Sequence, residues 1–407
     1  MLFRVLPLLG CVGFSAAFAV AAPPQSQKLV QKPITLYRDT NGWCPFCEKV
    51  MLALEAKSIE YDSVLINLRD KPKWYTDMVP TALVPSIAVG DDIIWESDTI
   101  LERLEQEFPS PCMQPPEGAE ELAELCKAGY QEFMTATFSF AGYNMTDLTE
   151  GELQARRAKT EAALDKLDKL LGKADGPFFT SDCFTSVDAS CVPMLERMAV
   201  QMPLTTGLCI RGQDRWPNLN RWFDALEEEV PSYRSLIKGD EESWTRALPA
   251  FAKLFSGSAG LSPRSLKAIE RAEEAISRLE AETDVSVLNK SDAWATEGRK
   301  QALEKLCSNE AMVAADALKA AGFVETRDEA LELCKKGQFP EAGKALAAVK
   351  AVLAGDDWKP LCEKDAELVG AGVVRAVRRR LCVPRDMGSL AGEQLRAACW
   401  LVAGELS

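Results

Sequence analysis

From residue 33 to residue 108 the sequence alternates strand-like and helix-like patterns in the order β-α-β-(α)-β-β-α, and it sets Trp43-Cys44-Pro45-Phe46-Cys47 at the first strand-to-helix handover. Ile34, Leu36 and Tyr37 make 33–38 a strand, and a glycine-containing turn follows. Residues 48–57 read as a helix that turns Val50, Leu52, Ala53 and Leu54 toward a core. YDSVLIN at 61–67 is a second strand, and 71–77 a short helix or loop. The stretch 84–89, which opens at Pro85, is a third strand. After the Gly90-Asp91-Asp92 turn, Ile93-Ile94-Trp95 make a fourth, and a helix over 99–108 closes the unit.

A thiol becomes a strong nucleophile only on losing its proton, and its unperturbed pKa is about 8.5. A helix N-terminus offers free N–H groups and a partial positive charge. The pattern places Cys44 at the cap of a helix over 45–57, with Pro45 in the first helical position, where its missing N–H is not needed. Cys44 is therefore the expected nucleophile. Cys47, one turn further in, is the candidate resolving thiol. Two rival readings of the pair are half a zinc site and two inert core cysteines. The chain has no histidine, and no second CxxC to complete four zinc ligands, so no metal is expected and no imidazole base is available.

The 407 residues are 47% hydrophobic and 27% charged, enough for two or three domains with real cores. A net charge of −14 without a broad basic stripe argues against nucleic-acid binding. The thirteen cysteines are scattered, which fits reduced, buried thiols better than a disulfide scaffold. Four prolines within 109–116 mark a linker. Helical spacing then runs over 120–138, 150–171, 187–200 and 218–229, and Thr185-Ser186-Val187-Asp188 is a capping box with Asp in the acidic place. A third, helical region starts near 256. Ser262-Pro263 opens a helix expected to bury Leu266, Ile269, Ala272, Ile276 and Leu279. Gly298 precedes another holding Leu303, Leu306, Val313 and Leu318, and breaks follow at Gly322, Gly337, Pro340 and Pro360. Arg375, Arg378, Arg379, Arg380 and Arg385 read as a solvated helix face rather than an anion site.

Taken together, these elements resemble the glutathione transferase superfamily over about residues 33–240, most closely its cysteine-type classes: omega-class transferases, dehydroascorbate reductases and glutaredoxin-like proteins. Val84-Pro85 stands where thioredoxin-like folds carry a cis X-Pro bond, a turn that offers the Val84 N–H and C=O to an extended peptide. The stretch 67–74 is similar to the omega-type segment whose lysine contacts glutathione, with Lys71 in that place. In Glu96-Ser97, Ser97 is expected to cap the next helix and hold a carboxylate at its N-terminus, while Glu96 meets an ammonium; an ordinary N-cap is the plainer reading. The 185–188 box and Pro217-Asn218-Leu219 with Trp222-Phe223 are similar to the superfamily's helical domain.

The resemblance implies an α/β thioredoxin-like domain (33–109), an all-α glutathione-transferase C-terminal domain (117–240) and an extra all-α tail (256–407) outside the standard fold. It implies Cys44 and Cys47 as catalytic thiols, and a glutathione site of Phe46, Lys71, Val84, Pro85, Glu96 and Ser97. The acceptor is expected between the domains, near Tyr130, Phe133, Phe138 and Trp222. Glutathione is the implied co-substrate, a small or protein disulfide or another oxidised compound the partner, and a homodimer the assembly. The expected activity is glutathione-dependent thiol transfer or reduction: disulfide exchange, glutathionyl transfer or dehydroascorbate reduction. Conjugation of glutathione to electrophiles is disfavoured, because a cysteine stands where a Ser or Tyr hydroxyl would activate glutathione. A non-catalytic scaffold or chloride-channel-like binding protein is the alternative from another class. Cys47 departs from the single cysteine common in omega-type proteins, leaving monothiol and dithiol routes open.

Residues 1–32 read as a targeting leader. Arg4 precedes an apolar stretch over 5–22 with small-residue cleavage sites, and no acid occurs before Asp39. Such a signal followed by a basic, acid-poor segment resembles the two-part leader of proteins bound for complex plastids, with Phe18 near the cleavage point. The ER lumen or secretion is the alternative. Asn144 and Asn289 open glycosylation sequons.

Overall fold

The computed structural model describes residues 33–141, 147–257, 260–362 and 367–406, with Glu367 described through its backbone alone. The leader and the Asn144 sequon lie outside the described residues. No helix among those described is long and apolar enough to cross a membrane.

The first unit comprises β1 (Ile34–Asp39), α1 (Pro45–Ala56), β2 (Asp62–Ile66), α2 (Lys73–Met78), β3 (Ser86–Val89), β4 (Asp92–Trp95) and α3 (Ser97–Glu107). Its sheet has the order β2-β1-β3-β4. β1 runs parallel to β2 and antiparallel to β3, and β3 pairs antiparallel with β4. A parallel neighbour requires a crossover, which α1 supplies, whereas β3 and β4 need only a tight turn. On one face, Val50, Leu52 and Leu54 of α1 join Ile100 and Leu104 of α3 over Leu36 and Ile87. Each fully buried aliphatic side chain contributes about 1.5–3 kcal/mol. On the other face α2 brings Tyr75 and Val79 onto Ile66.

The second unit is helical: α4 (Glu120–Ala141), α5 (Glu150–Leu171), α6 (Ser186–Thr206), α7 (Pro217–Glu229) and α8 (Glu241–Ser256). The capping box at α6 forms and carries more than a cap. Asp188 accepts from the Thr185 backbone and hydroxyl, from the Phe179 N–H and from the Trp222 indole at 2.9 Å. Phe133 and Trp222, expected to line a substrate pocket, are fully buried core residues; Asp188 draws the Trp222 indole inward and the ring packs on Phe179 and Phe223.

The tail holds α9 (Pro263–Ala281), α10 (Ala293–Ala320), α11 (Arg327–Lys335), α12 (Pro340–Ala354), α13 (Glu367–Arg380) and α14 (Ser389–Glu405). Helix α9 belongs to the first core, and a second core gathers α10 to α14. Three expectations change here. Leu266 is exposed, because α9 buries the small residues Ala268, Ala272 and Ala275 instead, letting it lie close to α6 and α8. Gly298 lies inside α10 rather than before it: a Cβ there would stand 3.0 Å from the Leu390 backbone, so glycine permits the α10–α14 approach. The arginine cluster is a solvated face only in part: Arg375, Arg379 and Arg380 are exposed, whereas Arg378 turns inward. Buried Arg378 pairs with Glu242 at 3.1 Å and donates to Thr283 Oγ1 at 2.7 Å, Arg379 meets Glu280, and Arg380 meets Asp316. Arg378 on Glu242, Arg379 on Glu280 and Arg396 on Asp240 fasten α13 and α14 to α9 and to the start of α8, while Arg380 on Asp316 joins α13 to α10. The twelve described cysteines are all free, but only Cys47, Cys126, Cys191 and Cys399 are buried.

Candidate functional site

Strand pairing brings the expected site residues to one edge of the sheet. Asp39 at the end of β1 lies opposite Ile66 at the end of β2, Tyr37 opposite Ser86 at the start of β3, and Ser86 opposite Trp95 at the end of β4. Cys44, Lys71, Val84-Pro85 and Glu96-Ser97 therefore all leave the sheet at that edge.

Cys44 is the N-cap of α1, with extended backbone (φ −73°, ψ 117°) and Pro45 next, and its carbonyl accepts from the Glu48 N–H at 3.1 Å to close the first turn. Its Sγ lies 3.8 Å from the Val84 carbonyl oxygen, and the Val84–Pro85 peptide is cis. The Cys44 thiol is pushed below its ordinary pKa, first by a hydrogen bond from the Cys47 thiol and further by the Cys47 and Phe46 N–H groups, against burial and Asp39, which oppose it. Cys47 is buried and pushed well up, by burial first and then by its hydrogen bond and charge interaction with Cys44. Cys44 is thus the more readily ionised of the two sulfurs and accepts the hydrogen bond, while Cys47 keeps its proton and donates it. Phe46 between them in sequence is 59% exposed and leaves an apolar ring at the surface.

Two contributors escaped the sequence reading. Asp39 is buried; one carboxylate oxygen accepts from the Trp43 N–H at 2.8 Å and the other has no partner among the described residues. Its carboxylate and the two sulfurs lie within 4.8 Å of one another, one ligand short of the four that close a structural zinc site. An acid ending an apolar strand five residues before a cysteine was the available signal. The other is Tyr75, whose hydroxyl donates to the Leu83 carbonyl at 2.6 Å and meets Ser86 Oγ at 3.2 Å, holding the turn that carries Val84.

Ser97 does not cap α3. Glu96 occupies the N-cap position with φ +67°, makes no side-chain cap bond, and leaves Ser97 as the first helical residue, buried. A positive φ at a non-glycine residue is costly and accumulates at functional sites. Asp98 in that first turn pairs with Lys49 of α1. Lys71 is half-buried, and Phe138 on α4 is exposed. Tyr130 is half-buried and faces Cys191, Arg197 and Glu48, and burial pushes its phenol well up.

Behind Cys47 lies a charged core. Arg197 of α6 pairs with Glu48 at 2.6 Å, donates to the Trp43 carbonyl at 3.2 Å, and stands 4.3 Å from the centre of the Trp244 ring. Burial raises Glu48 to about 8, against Arg197, which lowers it. The loop before Cys44 is thereby gripped from the helical unit by Arg197 and by Phe251, whose ring meets Trp43 at 5.0 Å.

Comparison with known proteins fits this arrangement. Residues 43–107 match the family model "Glutathione S-transferase, N-terminal domain" and residues 150–225 match "Glutathione S-transferase, C-terminal domain". The chain is 32% identical to "Glutathione S-transferase DHAR2" of Arabidopsis thaliana over 40% of its own length and 71% of that protein. It is 24% identical to "Glutathione S-transferase omega-1" of Sus scrofa over 46% and 74% of the two chains. Among solved structures, the Chlamydomonas reinhardtii dehydroascorbate reductase aligns at 23% identity and a TM-score of 0.39, over 60% of this chain and 98% of that one. The chain belongs to the glutathione S-transferase family, enzymes that use glutathione as a co-substrate.

Proposed function

We propose that the protein is a glutathione-dependent thiol transferase or reductase with Cys44 as its nucleophile, acting on mixed disulfides and on oxidised small molecules such as dehydroascorbate. The observation that carries this is the Cys44 thiol at a helix cap, lowered in pKa by Cys47 and facing the Val84 carbonyl. The Cys44 thiolate attacks the glutathione sulfur of a mixed disulfide, the old S–S bond breaks, and the acceptor leaves as a thiolate that takes up a proton. A second glutathione thiolate then attacks the Cys44 adduct, giving glutathione disulfide and restoring Cys44. In the dithiol route Cys47 makes that attack and glutathione reduces the internal disulfide. The Val84 backbone pairs with the tripeptide backbone, Lys71 and the first turn of α3 hold its carboxylates, Glu96 meets its ammonium, and Phe46 covers its stem. The similarity to proteins named glutathione S-transferase DHAR2 and omega-1 supports a glutathione-dependent reaction, and the cysteine at the helix cap favours reduction over conjugation.

The test is a reductase assay with glutathione on the wild type, Cys44→Ser and Cys47→Ser, using a small mixed disulfide and dehydroascorbate. Turnover by the wild type and its loss in Cys44→Ser are expected, while Cys47→Ser retains a monothiol route. Inactivity of all three, with no glutathione binding, overturns the reading.

A further inference from the structure

The tail contains a cavity of about 340 Å³ between α10, α13, α14 and the turn leading into α14, within the usual size range of small-molecule sites, about 300–1,000 Å³. Its floor is apolar and built from core residues: Leu306, Ala317, Leu381, Met387 and Leu395 are each less than a tenth exposed. Its mouth is cationic. Lys305, Arg380 and Arg385 stand there against two carboxylates, Asp316 and Asp386. Asp316 holds Nε and Nη2 of Arg380, and Asp386 holds the same two nitrogens of Arg385. Lys305 is exposed and makes no ion pair among the described residues. In a chain of net charge −14, an apolar cavity with an excess of positive charge at its mouth is matched to an apolar body carrying one negative charge.

We propose that this cavity is a second ligand site, for an amphipathic monoanion such as a medium-chain carboxylate, whose chain lies on the Leu306–Leu395 floor and whose carboxylate meets Lys305. The site touches the catalytic unit. Arg385, on the cavity rim, passes its backbone within 3.2 Å of where a Cβ of Gly42 would stand, two residues before Cys44. The proposal stands independently of the reaction assigned to Cys44.

Calorimetric titration of the full chain with decanoate, decan-1-ol and decylammonium, each below its aggregation concentration, tests it. Decanoate is expected to bind with a Kd on the order of 100 μM, and the other two at least about tenfold more weakly. Lys305→Glu, an exposed substitution, is expected to weaken decanoate about tenfold and leave decan-1-ol unchanged. Val313→Trp, which fills the cavity, is expected to abolish both. Absence of saturable decanoate binding, equal affinity for decylammonium, or indifference of decanoate to Lys305→Glu each overturns the proposal, and the Lys305 arm decides it even where Val313→Trp fails to fold.

Discussion

Gly42, in the loop that delivers Cys44, lies against the backbone of Arg385 from the tail: a Cβ at Gly42 would meet Arg385 Cα and N at 3.2 Å, and its φ is +68°. The tail therefore packs against the loop that leads into Cys44, although it lies beyond the two domains that the family models match. Gly42→Ala adds both left-handed strain, about 1–2 kcal/mol, and a collision that the catalytic loop must absorb. Gly118→Ala is the control, since Gly118 has φ +87° but open space around its Cβ. Urea unfolding and reductase kcat are expected to show lost stability in both, and a several-fold lower kcat only for Gly42→Ala.

The ionisation of Cys44 is set by groups of opposite effect. The Cys47 hydrogen bond lowers its pKa, and the Asp39 carboxylate raises it. Cys47→Ala removes the stabilising bond, so the Cys44 pKa rises and less thiolate is present at pH 7. Cys47→Ser restores a donor and recovers part of the loss. Asp39→Asn removes a negative charge, so the Cys44 pKa falls. The pH dependence of iodoacetamide alkylation reads all three, and movement of Cys47→Ala and Asp39→Asn in the same direction contradicts the assignment.

Glu48 couples this region to stability. Its folded pKa of about 8 lies above the ordinary 4.5, so its contribution is fully present below pH 4.5 and is lost as pH rises through 8. Arg197 and Glu196 from α6, Cys44, Tyr130 and Tyr233 face it. Glu48→Gln keeps the shape and cannot ionise. Between pH 6 and pH 9 the wild type is expected to lose at least ~1.4 kcal/mol relative to Glu48→Gln, the equivalent of one pKa unit, in chemical denaturation at the two pH values.

Asp188 joins three segments of the helical unit through four hydrogen bonds. Asp188→Ala strands those buried donors and is expected to cost about 3–5 kcal/mol. Trp222→Phe removes one bond and is expected to cost about 1 kcal/mol. Thermal unfolding distinguishes the two.

The helix-cap place of Cys44, the strand that follows Pro85, and the helical order up to α8 were legible from sequence because local rules govern them: period, turn chemistry, a proline after a cap. Helix α5 matches the expected 150–171 span because its capping box and periodicity agree. What sequence could not decide depended on distant partners. Phe133 and Trp222 had the spacing of a pocket wall, yet Asp188 and the ring cluster drew Trp222 into the core. Arg378 looked like surface charge until Glu242, 136 positions earlier in the chain, supplied its counter-ion. Ser97 looked like a cap because propensity cannot foresee that Glu96 adopts a positive φ. Placing one thiol at a helix start needed only the residues around it. Tertiary structure alone decided that Asp39 lies behind that thiol and that the tail reaches Gly42, because both follow from segments packing together across the chain.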